Sequence, residues 1–159
     1  MANEIKDKFS ASAALTITLA SLASSTAGVG RQSTLVDNSS ARYGELVVYV
    51  KITVGTTPTA NTPIYVYLIR SDNDGTDHRT DGAGASDAAL TVNNAPLLGV
   101  IMVPATTSDT AYYGEFSTRP YGAVGPEWGI AIVQSTTVNL NSTGGNHWVR
   151  YIGVNPEVQ

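Results

Sequence analysis

Leu46-Val47-Val48-Tyr49-Val50-Lys51-Ile52-Thr53-Val54 and, after a short connection, Ile64-Tyr65-Val66-Tyr67-Leu68 decide the fold class of this chain. Successive side chains of an extended strand point to opposite faces. In the first run Leu46, Val48, Val50, Ile52 and Val54 therefore share one side, and all five are aliphatic. Val47, Tyr49, Lys51 and Thr53 share the other. The second run repeats the arrangement, with Ile64, Val66 and Leu68 on one side and Tyr65 and Tyr67 on the other. Residues 55–63, rich in Thr and Pro, connect the two. The pattern predicts two neighbouring antiparallel strands with an aliphatic inner face and a shared, tyrosine-bearing outer face.

Working outward, the same period recurs. Leu15-Thr16-Ile17-Thr18-Leu19 alternates and predicts a strand; the nearby alanines offer a helix as the competing reading, and the threonines favour the strand. Leu35-Val36 and Leu90-Thr91-Val92 are short strand candidates. Residues 97–103 form an almost continuous apolar run between Pro96 and Pro104, which suits a strand buried on both faces or one meeting a partner. Residues 112–118, 128–134 and 148–154 complete the set, the last preceded by the turn sequence Thr143-Gly144-Gly145-Asn146. About eight strands separated by Gly, Pro and Asn turns, with no convincing amphipathic helix, predict an all-β fold, an antiparallel β-sandwich. The mixture of long and short connections favours a jelly-roll or Greek-key route over a meander. The expected organisation is an extended N-terminal arm over residues 1–12 and a single β-sandwich domain over 13–159.

Composition narrows the function. Only 14% of the 159 residues are charged, against about 25% in ordinary soluble domains. Hydroxyls and amides fill the difference, and a surface of that kind suits close protein contact because little charge must be desolvated. Nine basic against 13 acidic residues leave a net charge of -4. With no basic run, nucleic-acid partners and basic-helix membrane binding are not expected. No cysteine is present, which excludes disulfides and thiolate metal sites. The run at residues 11–23 is diluted by Thr16, Thr18 and Ser21 and follows Glu4 and Asp7, so no targeting segment or membrane span is expected.

Chemical motifs are sparse. Residues 71–88 contain Asp72, Asp74, Asp77, Asp81 and Asp87 among glycines, a long Asp/Gly-rich loop that is functional or mobile by its length. Asp72-Asn73-Asp74-Gly75-Thr76-Asp77 hints at a calcium loop, but Gly75 comes too early and the twelfth position is Ala83, so a plain exposed turn is the expectation. His78 and His147, the two histidines, lack the companions a zinc site requires. Glu45, Glu115 and Glu127 could supply a glycosidase pair only if the fold brought two of them together. There is no Gly-x-Ser-x-Gly elbow and no phosphate-cradling glycine loop with lysine. The expectation is therefore no enzyme, no cofactor and no metal. Asn38-Ser39-Ser40 and Asn141-Ser142-Thr143 match glycosylation acceptors, which matter only in a eukaryotic secretory setting.

Tyr49, Tyr65 and Tyr67 carry the stronger signal. Tyrosine joins a large apolar body to one polar tip and is enriched at interfaces. Either these rings meet a partner or loops of the same chain cover them.

The polar start Met1-Ala2-Asn3-Glu4-Ile5, the strand at residues 15–19, the 47–54 and 64–68 pair and the tail Tyr151-Ile152-Gly153-Val154-Asn155-Pro156 stand in a cysteine-free, acidic, Thr/Ser/Ala/Gly-rich β chain. In composition and layout it resembles the small virion proteins of tailed bacteriophages, and among them the jelly-roll head decoration, or cement, proteins. The resemblance implies a non-enzymatic structural protein of the virion, assembled in the host bacterial cytoplasm. It would bind major capsid protein or other virion subunits, associate with itself, and stabilise the head from outside. The expected contact residues are Ile5 and Phe9 of the arm together with Tyr49, Tyr65 and Tyr67. The alternative is a tail or fibre component or a carbohydrate-binding module, with Trp128, Trp148 and Tyr121 as sugar platforms.

Overall fold

The computed structural model describes residues 4–25, 28–72, 86–90 and 95–158. They form eleven strands in chain order: β1 Ile5–Phe9, β2 Ala13–Leu15, β3 Val29–Gln32, β4 Val36–Asp37, β5 Glu45–Thr53, β6 Thr62–Ser71, β7 Ala88–Ala89, β8 Leu97–Val103, β9 Ala111–Ser117, β10 Glu127–Gln134 and β11 Trp148–Val158. Two short 3-10 turns, at Arg119–Tyr121 and Gly144–Asn146, are the only helical pieces among the described residues.

The strands build two antiparallel sheets. The first has the order β1-β11-β5-β9, with β2 pairing the same strand β11 further along. The second has the order β7-β3-β10-β6-β8, with β4 also on β10. Setting aside β1, β4 and β7, the remaining eight strands follow a jelly-roll path, crossing between sheets at every step except β6 to β8: β2, β5, β9 and β11 in one, β3, β6, β8 and β10 in the other. All-β class and sandwich architecture therefore agree with the sequence pattern.

The pairing of the two deciding runs does not. β5 bonds to β9 and β11, whereas β6 bonds to β8 and β10, so the two lie in opposite sheets. The connection between them makes no hairpin. Thr57 and Asn61 take positive φ (55° and 60°), and the amides of Thr59 and Asn61 donate to Thr136 and Val103. This carries the chain across the end of the sandwich to the other layer. An alternating strand has one apolar face whether its neighbour lies beside it or opposite it, so the pattern alone does not separate the two cases.

The aliphatic faces meet across the core. Leu46, Val48, Val50 and Ile52 of the first sheet and Ile64, Val66 and Leu68 of the second are all fully buried. They form one cluster with Ile130, Ile132, Val149, Leu15, Leu19 and Leu22. Each such side chain contributes about 1.5–3 kcal/mol by leaving water. Trp128 is fully buried, its ring edge-on to Tyr151 with centroids 4.8 Å apart.

Two local expectations are corrected. The strand at residues 15–19 is regular only over Ala13–Leu15; beyond it Thr16 O accepts from Thr34 N and Leu19 O from Leu22 N, yet Leu15 and Leu19 still enter the core. Residues 97–103 are not buried on both faces. β8 is an edge strand, with Leu98, Ile101 and Val103 inward and Leu97, Val100 and Met102 exposed. Within the expected N-terminal arm, residues 5–9 pair as β1 with the far end of β11. Most of the Asp/Gly-rich loop, including His78 and the calcium-like motif beyond Asp72, lies outside the described residues, as do Thr91 and Val92.

Candidate interaction surfaces

The first surface is a ribbon at one end of the sandwich. β5 follows β11 only as far as Val154 opposite Glu45, while β1 pairs on from Phe9 opposite Val154 to Ile5 opposite Val158. Residues 5–8 and 155–158 thus run on as two strands without a third among the described residues. Directly opposed residues of an antiparallel pair share a face. Ile5 and Val158, Asp7 and Pro156, and Phe9 and Val154 fall on one side; Lys6, Lys8, Asn155 and Glu157 fall on the other. The polar side is neutralised by Lys8 with Glu157 at 2.9 Å, and Lys6 with Glu4 at 3.0 Å. The apolar side is open: Ile5, Phe9 and Val158 are 72%, 63% and 62% exposed.

An isolated two-stranded ribbon is marginal in water, and this one is held at its foot. Ser10 and Gly153 exchange two hydrogen bonds of 2.9 Å. Asn155 donates to Ala41 O and accepts from Gly44 N, both at 3.0 Å. Arg119 bridges Glu45 at 2.8 Å and Asp7 at 3.4 Å. Gly153 carries no side chain because a methyl there would overlap the ring of Tyr43.

The second surface is the outer face of the second sheet. Tyr65 and Tyr67 stand side by side, ring centroids 6.3 Å apart. Across β8 their row continues through Val100 opposite Tyr65 and Met102 opposite Pro63. On the β10 side it meets Val133 and Ala131, which are buried beneath Leu35, Ala88, Leu90 and Ala95. The chain's own loops thus cover part of this face, and among the described residues a groove of about 530 Å³ is left along Thr62, Pro63, Tyr65, Tyr67, Val133 and Ser135. None of those six side chains is charged. Burial, with the neighbouring Tyr65 adding to it, pushes the Tyr67 phenol above its ordinary pKa, so its hydroxyl stays a neutral donor and acceptor.

Tyr49 is not on that face. It lies on the outside of the first sheet, between Arg150 and Glu115. In the next row Lys51 separates Trp148 from Tyr113, whose rings approach to 6.4 Å. The Arg150 guanidinium sits over the Trp148 ring at 5.5 Å. The three tyrosines expected to act together therefore divide between opposite sides of the sandwich, because β5 and β6 occupy different sheets.

Other candidates resolve into structure. Trp128 is core and offers no sugar platform. Tyr121 donates its hydroxyl to Leu97 O. Glu45 is taken by Arg119 and Ser117 and lies in a different sheet from Glu127. Asn38 is buried, its amide donating to Tyr43 O and Gly125 O, which leaves no room for a glycan. Asp87, the last carboxylate of the acidic loop, is bound by Arg31 Nε at 2.6 Å and Ala23 N at 3.2 Å. Among the described residues no three metal-ligating side chains come together, and no helix is long and apolar enough to cross a membrane. Val158 was not singled out from sequence, whereas Val100 and Met102 belong to the run at residues 97–103 read as a strand buried on both faces or meeting a partner. The one available signal for Val158 was alternation continuing beyond Val154, interrupted by Pro156.

No protein-family model matches the chain, and comparisons with curated proteins and with solved structures find no significant match. The class is set by the fold alone, a jelly-roll β-sandwich in which two apolar surfaces are exposed among the described residues.

Proposed function

We propose that this protein is a non-enzymatic structural component of a tailed-phage virion, a decoration protein that binds the outside of the capsid and stabilises the head. The observation that carries the reading is the ribbon's open face, with Ile5, Phe9 and Val158 all more than three-fifths exposed on one side of a rooted projection. A projection of this kind gains free energy only by burying its side chains on another protein. The jelly-roll path, a common architecture of capsid proteins, and the charge-poor surface support the same reading. Modest contacts repeated over a lattice add up through effective concentration. The test is sedimentation of the purified protein with capsids lacking it, followed by a heat challenge. Co-sedimentation and a raised disruption temperature are expected, and both should be lost in an Ile5→Asp/Phe9→Asp variant. Failure to bind any capsid or procapsid would remove the proposal.

The Trp148, Tyr113 and Arg150 arrangement favours a second reading, a sugar-binding component of a tail or fibre. On a glycan array that reading requires saturable binding that Trp148→Ala abolishes.

A further inference from the structure

We infer that the β1–β11 ribbon of one copy seats in the Tyr65/Tyr67 groove of a second copy, joining the molecules head to tail. The inference rests on the adhesive reading above and names the partner of one surface.

The two surfaces match in chemistry. One is a projection tipped with Ile5, Phe9 and Val158, and the other is a recess floored by Pro63, Tyr65, Tyr67 and Val133. The groove lining carries no charge; on the ribbon's docking side the one carboxylate, Asp7, is paired with Arg119, and the lysines lie on the opposite side, paired with Glu4 and Glu157.

The two surfaces cannot meet within one molecule. β6 begins at Thr62 beside the groove and ends at Ser71, beside the loop that holds the ribbon's foot; Arg70 at that end donates to Tyr121 O and Ala123 O. Ten residues of strand span about 30 Å. The ribbon is rooted at one end of the sandwich and the groove opens toward the other, so the occupant must be another chain.

The alternative self-contact, edge-to-edge pairing of two β1 strands, is opposed by charge. The antiparallel register that sets Ile5 opposite Phe9 of the second copy also sets Asp7 opposite Asp7 and Lys6 opposite Lys8. Shifting by two residues in either direction places Asp7 opposite Ile5 or Phe9 and a lysine opposite its own equivalent. Like charges directly opposed destabilise a pair, and lysine on an edge strand is a common guard against such pairing. The heterologous contact of ribbon and groove avoids these like-charge oppositions, and it closes as a ring or continues as a chain.

Size sets the strength. Ile5, Phe9 and Val158 leave roughly 400 Å² of apolar surface open, the size of a functional patch on a monomer. That is below the 800 Å² or so per partner of a standard stable interface, so association is weak and concentration-dependent.

Sedimentation velocity over micromolar to millimolar concentration tests this. The wild-type mass should rise from 16.6 kDa to multiples of it. An arm variant, Ile5→Asp/Phe9→Asp, and a groove variant, Tyr65→Glu, should each stay monomeric. Their equimolar mixture should form dimers and nothing larger, because one working arm and one working groove remain. Met102→Glu, at a half-exposed position on the groove's rim, serves if Tyr65→Glu fails to fold. A monomeric wild type, an arm variant that still associates, or a mixture without dimers would overturn the inference. A wild type that binds capsids but stays monomeric would overturn only this inference; loss of both behaviours would remove the adhesive reading too.

Discussion

His147 shows how a single side chain ties a loop to the end of β5 in the first sheet. It is buried; its Nδ1 accepts from Thr53 N at 3.2 Å and its Nε2–H donates to Asn141 O at 2.8 Å. That arrangement needs the neutral ring with its proton on Nε2, since a proton on Nδ1 would face the Thr53 N–H. Burial pushes the imidazole below its ordinary pKa and nearby Lys51 adds to the effect, while the bond to Asn141 opposes it. The folded state thus holds its proton less well than the unfolded chain. The stabilisation is present above the unfolded value of about 6.5 and is lost as pH falls through the lower folded value. The thermal midpoint should therefore drop between pH 7 and pH 5, and His147→Gln should reduce that drop. An identical pH dependence in the variant would show that His147 contributes nothing to it.

At the scale of elements, the sandwich and its ribbon differ in what they contribute. Every residue of β1 is exposed, so the strand adds ladder hydrogen bonds but no core. Deleting residues 1–9 should leave the urea midpoint nearly unchanged, a loss of about 1 kcal/mol or less, while abolishing self-association and capsid binding. The β8 and β9 edges behave oppositely. The Phe116 ring lies against Gly99 and Gly114, where a methyl on Gly114 would come within 2.6 Å of it. Gly114→Ala should cost about 1–3 kcal/mol by overpacking, measured by urea denaturation. Alternation alone identified the inward sides of β5 and β6, because the period of two is a property of one strand. It sets Gly114 beside Phe116 on one face of β9, but it could not identify Gly99 as the other seat of that ring, because that contact spans β8 and β9, which lie in different sheets.

For the whole molecule, the jelly-roll path makes nearly every pairing distant in sequence. β1 meets β11, and Lys8 bonds to Glu157 across 149 positions. Loop closure must precede such contacts, so refolding is expected on the millisecond-to-second scale rather than in microseconds. Stopped-flow refolding from urea checks this; a microsecond phase carrying the full amplitude would contradict the topology.

The chain's own order of residues determined the all-β class, the inward faces of the strands, and the arm and tyrosine residues worth suspecting. Each follows from local geometry: alternation, turn chemistry, and the scarcity of charge. Only the tertiary structure decided which strand lies beside which. It placed β5 and β6 in opposite sheets and so separated Tyr49 from Tyr65 and Tyr67. It also joined Ile5 and Phe9 to Val158, from the far end of the chain, on one open face. Pairing partners are chosen by how buried surfaces fit across long loops, and no short stretch of sequence carries that information.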